Sequence, residues 1–193
     1  MEKVKVFEIL MKYNSPWSKR AILLFGISMV MALWLAGTLV KRKRILVSQA
    51  IAGVLLLAFL WIVFEATVFS RSPRYAMEYE LQLFWSWKEV FNGNFQMLEY
   101  CLLNILLLVP AGSLLPFLFR KKHSTVWGLV FGMFISIFIE TFQLIFARGL
   151  CEWDDVLHNS IGCMVGYWIG RSVKICLSKY RWAVNFIKGK TLR

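Results

Sequence analysis

Long apolar runs bounded by blocks of positive charge most constrain what this chain can fold into. Residues 21–40 form an apolar run without a charged side chain, and Lys41, Arg42, Lys43 and Arg44 follow at once. At 1.5 Å per residue such a run crosses a hydrocarbon core of about 30 Å. The whole chain is 59% hydrophobic and 18% charged, which is too apolar for a soluble domain. These features predict an integral membrane protein.

Hydrophobic length and the placement of Lys and Arg predict five membrane-spanning helices. The proposed spans are residues 21–40, 45–69, 99–119, 124–146 and 156–177. The basic block at 41–44, a second block at 120–123 and the basic residues after 177 mark the cytoplasmic side. This pattern is best satisfied with the amino terminus outside, although five lysines and arginines in residues 1–20 oppose that orientation of the first segment. The predicted fold is an all-α, polytopic membrane helical bundle.

Three segments outside the spans complete the predicted organisation. Residues 1–20 form an amphipathic helix on the membrane surface or a flexible tail, and residues 21–69 hold the first two spans. Residues 70–98 carry many aromatic side chains, which predicts an interfacial helix on the outer face, ended by the turn at Asn92, Gly93 and Asn94, or a lid over an outer site. This segment opens the region 70–177, which contains the last three spans. Residues 178–193 form a basic cytoplasmic tail.

Polar side chains from several spans lie at one depth near the outer boundary. Glu140 and Gln143 lie in the last two turns of their span, Asn104 is about five residues from its outer end, and Asn159 opens the last span. Glu65 lies at a similar level. Since ionisable groups inside a membrane are costly, they indicate a functional site. The candidate ligand-binding residues are Asn104, Glu140, Gln143, Arg148, Asp155, His158 and Asn159, with Glu65 and Arg71 as further members.

The last span combines this polar cluster with a packing surface. Asp155, Asn159, Gly162 and Gly166 recur at four, three and four residues, which places them on one stripe with His158 and Gly170 at its edges. Glycines four apart allow two helices to approach closely. The packing residues are Gly162, Gly166 and Gly170, with Pro110 and Gly112 in another span, where the proline predicts a kink.

An unpaired carboxylate in a span costs about 2.5–3.5 kcal/mol, so we expect Glu140 to be protonated, hydrated or paired with a cation. Arg148 is the nearest cation in sequence, and Arg71 and Arg74 lie in the other outer loop. Two interpretations follow. Glu140 either forms a buried ion pair that ties loops to helices, or it lines a wet cavity that opens outside and binds a polar headgroup or peptide.

Several short motifs resemble the VanZ-like family of bacterial membrane proteins. They are NILLLVPAG around Asn104, SIFIETFQL around Glu140, the following Arg148, and DDVLHNSIGCMVG from Asp154. The resemblance covers roughly residues 70–170. It implies a multi-pass protein of the bacterial cytoplasmic membrane, related to one associated with reduced susceptibility to glycopeptide antibiotics, teicoplanin especially.

Three functions are compatible with these features. The first is a non-enzymatic, outward-facing binding protein for a lipoglycopeptide antibiotic or a lipid-linked wall precursor within the surrounding membrane lipid. The second is an intramembrane enzyme that uses Glu140, Asp155 and His158, although the sequence has no H-E-x-x-H and no G-x-S-x-G motif. The third is a scaffold for wall-synthesis enzymes. We expect no cofactor, no metal and no nucleic-acid partner.

Overall fold

A computed structural model describes residues 17–119 and 124–191, and this part of the chain is mostly helical. Its helices are α1 (Lys19–Lys41), α2 (Val47–Phe64, continued by a π-helical turn Glu65–Phe69), α3 (Trp85–Phe91), α4 (Phe95–Leu107), α5 (Val109–Leu118), α6 (Val126–Ile145) and α7 (Trp153–Thr191). Two short strands are β1 (Glu78–Glu80) and β2 (Leu150–Glu152). The predicted all-α bundle is confirmed. Residues 1–16, with most of the predicted amphipathic segment, and the basic block 120–123 lie outside the described residues.

Four of the described helical segments are long and apolar enough to cross a membrane. They are Lys19–Lys41, Val47–Phe69, Phe95–Leu118 and Val126–Ile145, and they correspond to the first four predicted spans. The helix predicted as the fifth span, α7, is less apolar because it starts with Asp154 and Asp155 and ends with basic residues. Four polar residues of its first two turns, Asp154, His158, Asn159 and Ser160, are buried, as are Gly162, Gly166 and Gly170. The fifth crossing stays a prediction based on its length and position.

One face of α7 packs directly on the backbone of α4 and α5. A Cβ atom added at Gly162, Gly166 or Gly170 would lie only 1.7, 2.0 or 2.0 Å from a carbonyl oxygen. The three carbonyls belong to Ile105, Val109 and Ser113, in the same order along the chain. The α4–α5 pair and α7 therefore run in the same direction. Only glycine permits this separation, because any side chain would overlap the neighbouring backbone.

The opposite face of α7 packs on α6, which runs the other way. Cβ atoms added at Gly128 and Gly132 would lie 2.6 Å from the Cβ atoms of Tyr167 and Cys163 respectively. Tyr167 and Cys163 are almost fully buried and belong to the core that α7 forms with its neighbours. Since α7 is covered on both faces, it is the central helix of the bundle.

The predicted kink near Pro110 is a complete interruption of the helix. α4 ends at Leu107 and α5 begins at Val109, with Pro110 in its first turn. A proline is tolerated there because its missing N–H has no partner in a first turn. Gly112 follows, and a Cβ at that position would lie 2.0 Å from the carbonyl oxygen of Cys163.

The outer segment differs most from the prediction. A helix was expected within residues 70–98, ended by the turn at Asn92, Gly93 and Asn94. The helix that precedes α4 does end at this turn, where φ of Gly93 is +94°, but it extends only over Trp85–Phe91. Before it, β1 pairs in parallel with β2, with Glu78 opposite Leu150. The partner strand is about seventy residues away in sequence. This pairing depends on the tertiary fold, so the local aromatic pattern did not predict it.

The carboxyl end of the chain also continues as helix beyond its predicted limit. α7 has 39 residues, which gives it a length of roughly 58 Å. That is nearly twice the hydrocarbon thickness of about 30 Å. The basic residues after 177 therefore begin as a helical extension of the predicted span.

A candidate polar site at the outer end of the bundle

The last turns of α6 carry a buried polar stripe. Ser136, Glu140 and Gln143 are four and three residues apart and thus share a face. Each is at least 96% buried. The amide of Gln143 donates to the carbonyl of Thr67 at 3.2 Å, which links α6 to the π-helical turn that ends α2. Ser136 and Glu140 face the start of α7 and the β2 strand.

Glu140 is held by a backbone hydrogen bond and does not pair with Arg148. Its Oε2 atom accepts a hydrogen bond from the backbone N–H of Glu152 at 3.1 Å. Arg148, the nearest cation in sequence, donates instead to the carbonyl of Phe69. The guanidinium of Arg71 is the cation that acts on both Glu140 and Asp155. Arg71 thus contributes positive charge near this site, without forming an ion pair with either carboxylate among the described residues.

A chain of hydrogen bonds joins α4, α6 and α7 at the same level. The amide nitrogen of Asn104 donates to the carboxylate of Asp155. The hydroxyl of Ser136 donates to the backbone carbonyl of Asp155 at 3.4 Å, and the amide of Asn159 donates to the Ser136 oxygen at 2.8 Å. Asn159 and Ser136 are almost fully buried, whereas Asn104 and Asp155 are half-buried. The chain thus runs from the interior to a more accessible edge.

The outer helix α3 is fastened to the first turn of α7 by Asp154. One carboxylate oxygen of Asp154 accepts from the backbone N–H of Phe84 at 2.6 Å. The other accepts from the backbone N–H of Ser86 at 3.0 Å and from the Ser86 hydroxyl. Since three donors of the chain bind the Asp154 carboxylate, its hydrogen-bonding capacity is met without a ligand.

His158 takes part in a second contact between α3 and α7. The indole N–H of Trp87 donates to its Nε2 atom at 2.8 Å. Because an indole nitrogen only donates, Nε2 carries no proton and the hydrogen of a neutral ring lies on Nδ1. Nδ1 is buried and has no partner among the described residues, and the same is true of the Asn159 side-chain oxygen. These two atoms are polar groups that a bound molecule can satisfy.

Four carboxylates crowd this end of the bundle: Glu140, Glu152, Asp154 and Asp155. We call them the outer carboxylate cluster. Burial, together with the charge of Asp155, raises the pKa of Glu152 to about 7. Asp154 has its own donors, but Arg71 is the cation set against Glu140 and Asp155. The cluster therefore contains more carboxyl groups than cations.

The structure brings most of the candidate residues together, and it adds others. Asn104, Glu140, Asp155, His158 and Asn159 belong to the cluster or its hydrogen bonds, and Gln143 adjoins it. Glu65 is buried in the π-helical turn that ends α2, where its carboxylate accepts a hydrogen bond from the Ser70 hydroxyl at 3.3 Å. The added residues are Ser86, Trp87, Ser136 and Glu152. A signal for Ser136 was available, since it precedes Glu140 by one helical turn.

The described residues do not bring three His, Cys, Asp or Glu side chains together in a geometry that holds a metal ion. His158, which lies beside the cluster, accepts a hydrogen bond from the indole N–H of Trp87. The arrangement is a set of hydrogen-bond acceptors and donors around an excess of carboxylates. Its chemistry suits the recognition of polar and cationic groups.

Comparison with known families identifies the chain. A family model described as VanZ/LLP1 matches residues 50–175. The chain belongs to the VanZ/LLP1 family. The matched range contains the whole outer carboxylate cluster and Gly162, Gly166 and Gly170 of α7, while α1 lies outside it. The family and the apolar helices together make this a VanZ-like, multi-pass membrane protein. No curated protein and no solved structure matches the chain.

Proposed function

We propose that this VanZ-like protein is a non-enzymatic binding protein of the bacterial cytoplasmic membrane that lowers susceptibility to glycopeptide antibiotics such as teicoplanin. In this proposal the outer carboxylate cluster recognises an amphiphile that carries peptide and amine groups. That amphiphile is the antibiotic or the lipid-linked wall precursor. Both approach the cluster through the outer leaflet.

The observation that carries this proposal is the excess of carboxyl groups over cations in the buried cluster. A purely structural ion-pair network would set each carboxylate against a cation, because an uncompensated buried charge is strongly destabilising. Here Asp154 is satisfied by backbone donors, whereas Glu140 and Asp155 share the influence of Arg71. An ammonium group from a ligand would supply the missing positive charge.

Two further features support a ligand that forms hydrogen bonds. His158 Nδ1 and Asn159 Oδ1 are a buried donor and a buried acceptor without partners among the described residues. An unsatisfied buried polar group costs about 1–3 kcal/mol, so a peptide group that reaches either atom gains that energy on binding. Access is from the side of Asn104 and Asp155, which are half-buried, and of Arg71, which is exposed.

The test compares isosteric variants in a susceptible bacterial host. Glu140→Gln and Asp155→Asn each replace a carboxyl group by an amide of the same shape. We expect each to weaken binding by about tenfold or more, since a hydrogen bond to a charged group contributes about 1.5–3 kcal/mol. Glu99→Gln is the matched control, because Glu99 is an exposed carboxylate of α4 that does not contact the cluster.

Teicoplanin susceptibility is measured together with the amount of each variant in the membrane. The proposal expects protection by the wild type and by Glu99→Gln, and its loss in Glu140→Gln and Asp155→Asn at equal membrane levels. Binding of teicoplanin and of a lipid-linked precursor to the purified chain then separates the two ligands. Equal protection by all variants, or no protection by the wild type, would refute the proposed role.

A further inference from the structure

A cavity with one charged side chain lies at the opposite end of the bundle from the outer carboxylate cluster. A cavity of about 380 Å³ lies between the start of α2, the end of α5 and the middle of α7. Its lining residues are Leu46, Ser48, Gln49, Phe117, Phe119 and Lys174. It adjoins the basic loop 41–44, which marks the cytoplasmic side. Its volume lies in the range of about 300–1,000 Å³ that is usual for small-molecule sites.

Lys174 is the charged group of this cavity, and its position is fixed. Its ammonium nitrogen donates to the carbonyls of Pro116 at 2.6 Å and Phe119 at 2.8 Å. An ammonium group has three donors, so one N–H remains for a ligand. These contacts hold the charge at the cavity wall without neutralising it.

The opposite wall is also ordered by hydrogen bonds. The Gln49 side chain accepts from the backbone N–H of Leu46 at 2.9 Å and donates to the carbonyl of Leu118 at 2.5 Å. The neighbouring Ser48 is exposed and its hydroxyl has no partner in the part of the chain that the structure describes. The cavity thus offers one ammonium and one hydroxyl between apolar side chains.

In the part of the chain that the structure describes, no Asp or Glu lies at this inner end to balance these cations. The sequence contains no Asp or Glu between Glu8 and Glu65, between Glu99 and Glu140, or after Asp155. In the described loop, Lys41, Arg42 and Lys43 are exposed beside the cavity. A ligand at this site therefore carries negative charge, and it lies at the level of the inner lipid headgroups.

We propose that this cavity binds the headgroup of an anionic glycerophospholipid from the cytoplasmic leaflet. The lipid phosphate contacts the Lys174 ammonium and the Ser48 hydroxyl, and the first part of an acyl chain lies along Leu46 and Phe119, which are exposed at the rim. Basic pockets between membrane helices on the cytoplasmic side take such headgroups. This site is independent of the outer cluster and of the function proposed for it.

The test measures lipid binding by the full-length chain in neutral detergent with native mass spectrometry. Phosphatidylglycerol is compared with phosphatidylcholine of the same acyl chains and with soluble glycerol phosphate. We expect phosphatidylglycerol to bind at least about tenfold more tightly than phosphatidylcholine, because only the former supplies uncompensated negative charge. Glycerol phosphate should compete weakly, since it lacks the acyl chain.

Variants of the cavity identify the site. Lys174→Met should lower the affinity for phosphatidylglycerol by about tenfold, while Lys174→Arg keeps most of it. Lys179→Met is the matched control, because Lys179 is an exposed lysine of the same helix that does not line the cavity. Since Lys174 also binds backbone carbonyls, Ser48→Phe provides a second test that fills the cavity from an exposed position.

Each outcome decides for or against the proposal. Loss of phosphatidylglycerol binding in Ser48→Phe and in any folded Lys174→Met, with retention in Lys179→Met, supports it. Equal binding of the two lipids overturns it, as does unchanged binding in Ser48→Phe. Competition by glycerol phosphate as strong as that of the lipid would show an anion site without a lipid ligand, which also contradicts the proposal.

Discussion

Replacing Gly166 by alanine tests the central packing contact of the bundle. In the present structure the added Cβ would lie 2.0 Å from the carbonyl oxygen of Val109, whereas real Cβ contacts are essentially never below 3.0 Å. The obstacle is backbone, so no side-chain rotation relieves it. α7 and the α4–α5 pair must therefore separate by at least about 1 Å at this point, and the hydrogen bond between Asn104 and Asp155 spans the same interface.

The expected destabilisation follows from these distances. Overpacking a well-filled core costs about 1–3 kcal/mol, and a backbone clash belongs at the upper end. Alanine recovers about 0.5–1 kcal/mol because it favours helix more than glycine does. We expect a net loss of about 2 kcal/mol, which lowers the melting temperature of a chain of this size by about 4–8 °C. Gly26→Ala is the matched control, because a Cβ at Gly26 of α1 meets nothing within 4 Å.

Unfolding in detergent is followed with a thiol-reactive fluorogenic dye. Cys101 and Cys163 are buried and should react only when the bundle opens, whereas the exposed Cys176 reacts at once and serves as an internal reference. We expect Gly166→Ala to expose the buried thiols at a lower temperature, and Gly26→Ala to match or exceed the wild type. If Gly166→Ala melts with the wild type, the close contact between α7 and α5 is wrong.

Two further substitutions address the outer site. Burial raises the pKa of Glu152 to about 7, above its usual value, so its contribution to stability is present at low pH and is lost as pH rises toward and through 7. Glu152→Gln should therefore reduce the decline in melting temperature between pH 4.5 and about 7, whereas the exposed Glu99→Gln leaves that decline unchanged. Equal slopes in the two variants would contradict this. Trp87→Phe removes the donor to His158 and should lower stability by about 1 kcal/mol and speed hydrogen exchange in α3. Trp34→Phe, at an exposed site of α1, is its control, and indistinguishable exchange in the two variants would argue against the contact.

The spans and the shared depth of the polar groups were readable from the sequence because both depend on local properties. Hydrophobic length and Lys/Arg placement predicted the first four membrane-length helices, and residue counting along each span placed Asn104, Glu140 and Asn159 at one level. The four-residue spacing of Gly162, Gly166 and Gly170 likewise predicted a packing surface, since helical periodicity alone puts these positions on one face. The family resemblance came from the same stretch.

The partners of those residues were decided only by the tertiary structure. Arg148 is the cation nearest to Glu140 in sequence, yet its guanidinium binds the carbonyl of Phe69 and Arg71 acts on Glu140. Likewise the outer segment is held by Asp154 and by pairing of β1 with β2, contacts between residues about seventy positions apart. Helical periodicity fixes which face a side chain occupies, but which distant backbone or charge meets that face depends on how the helices and loops assemble.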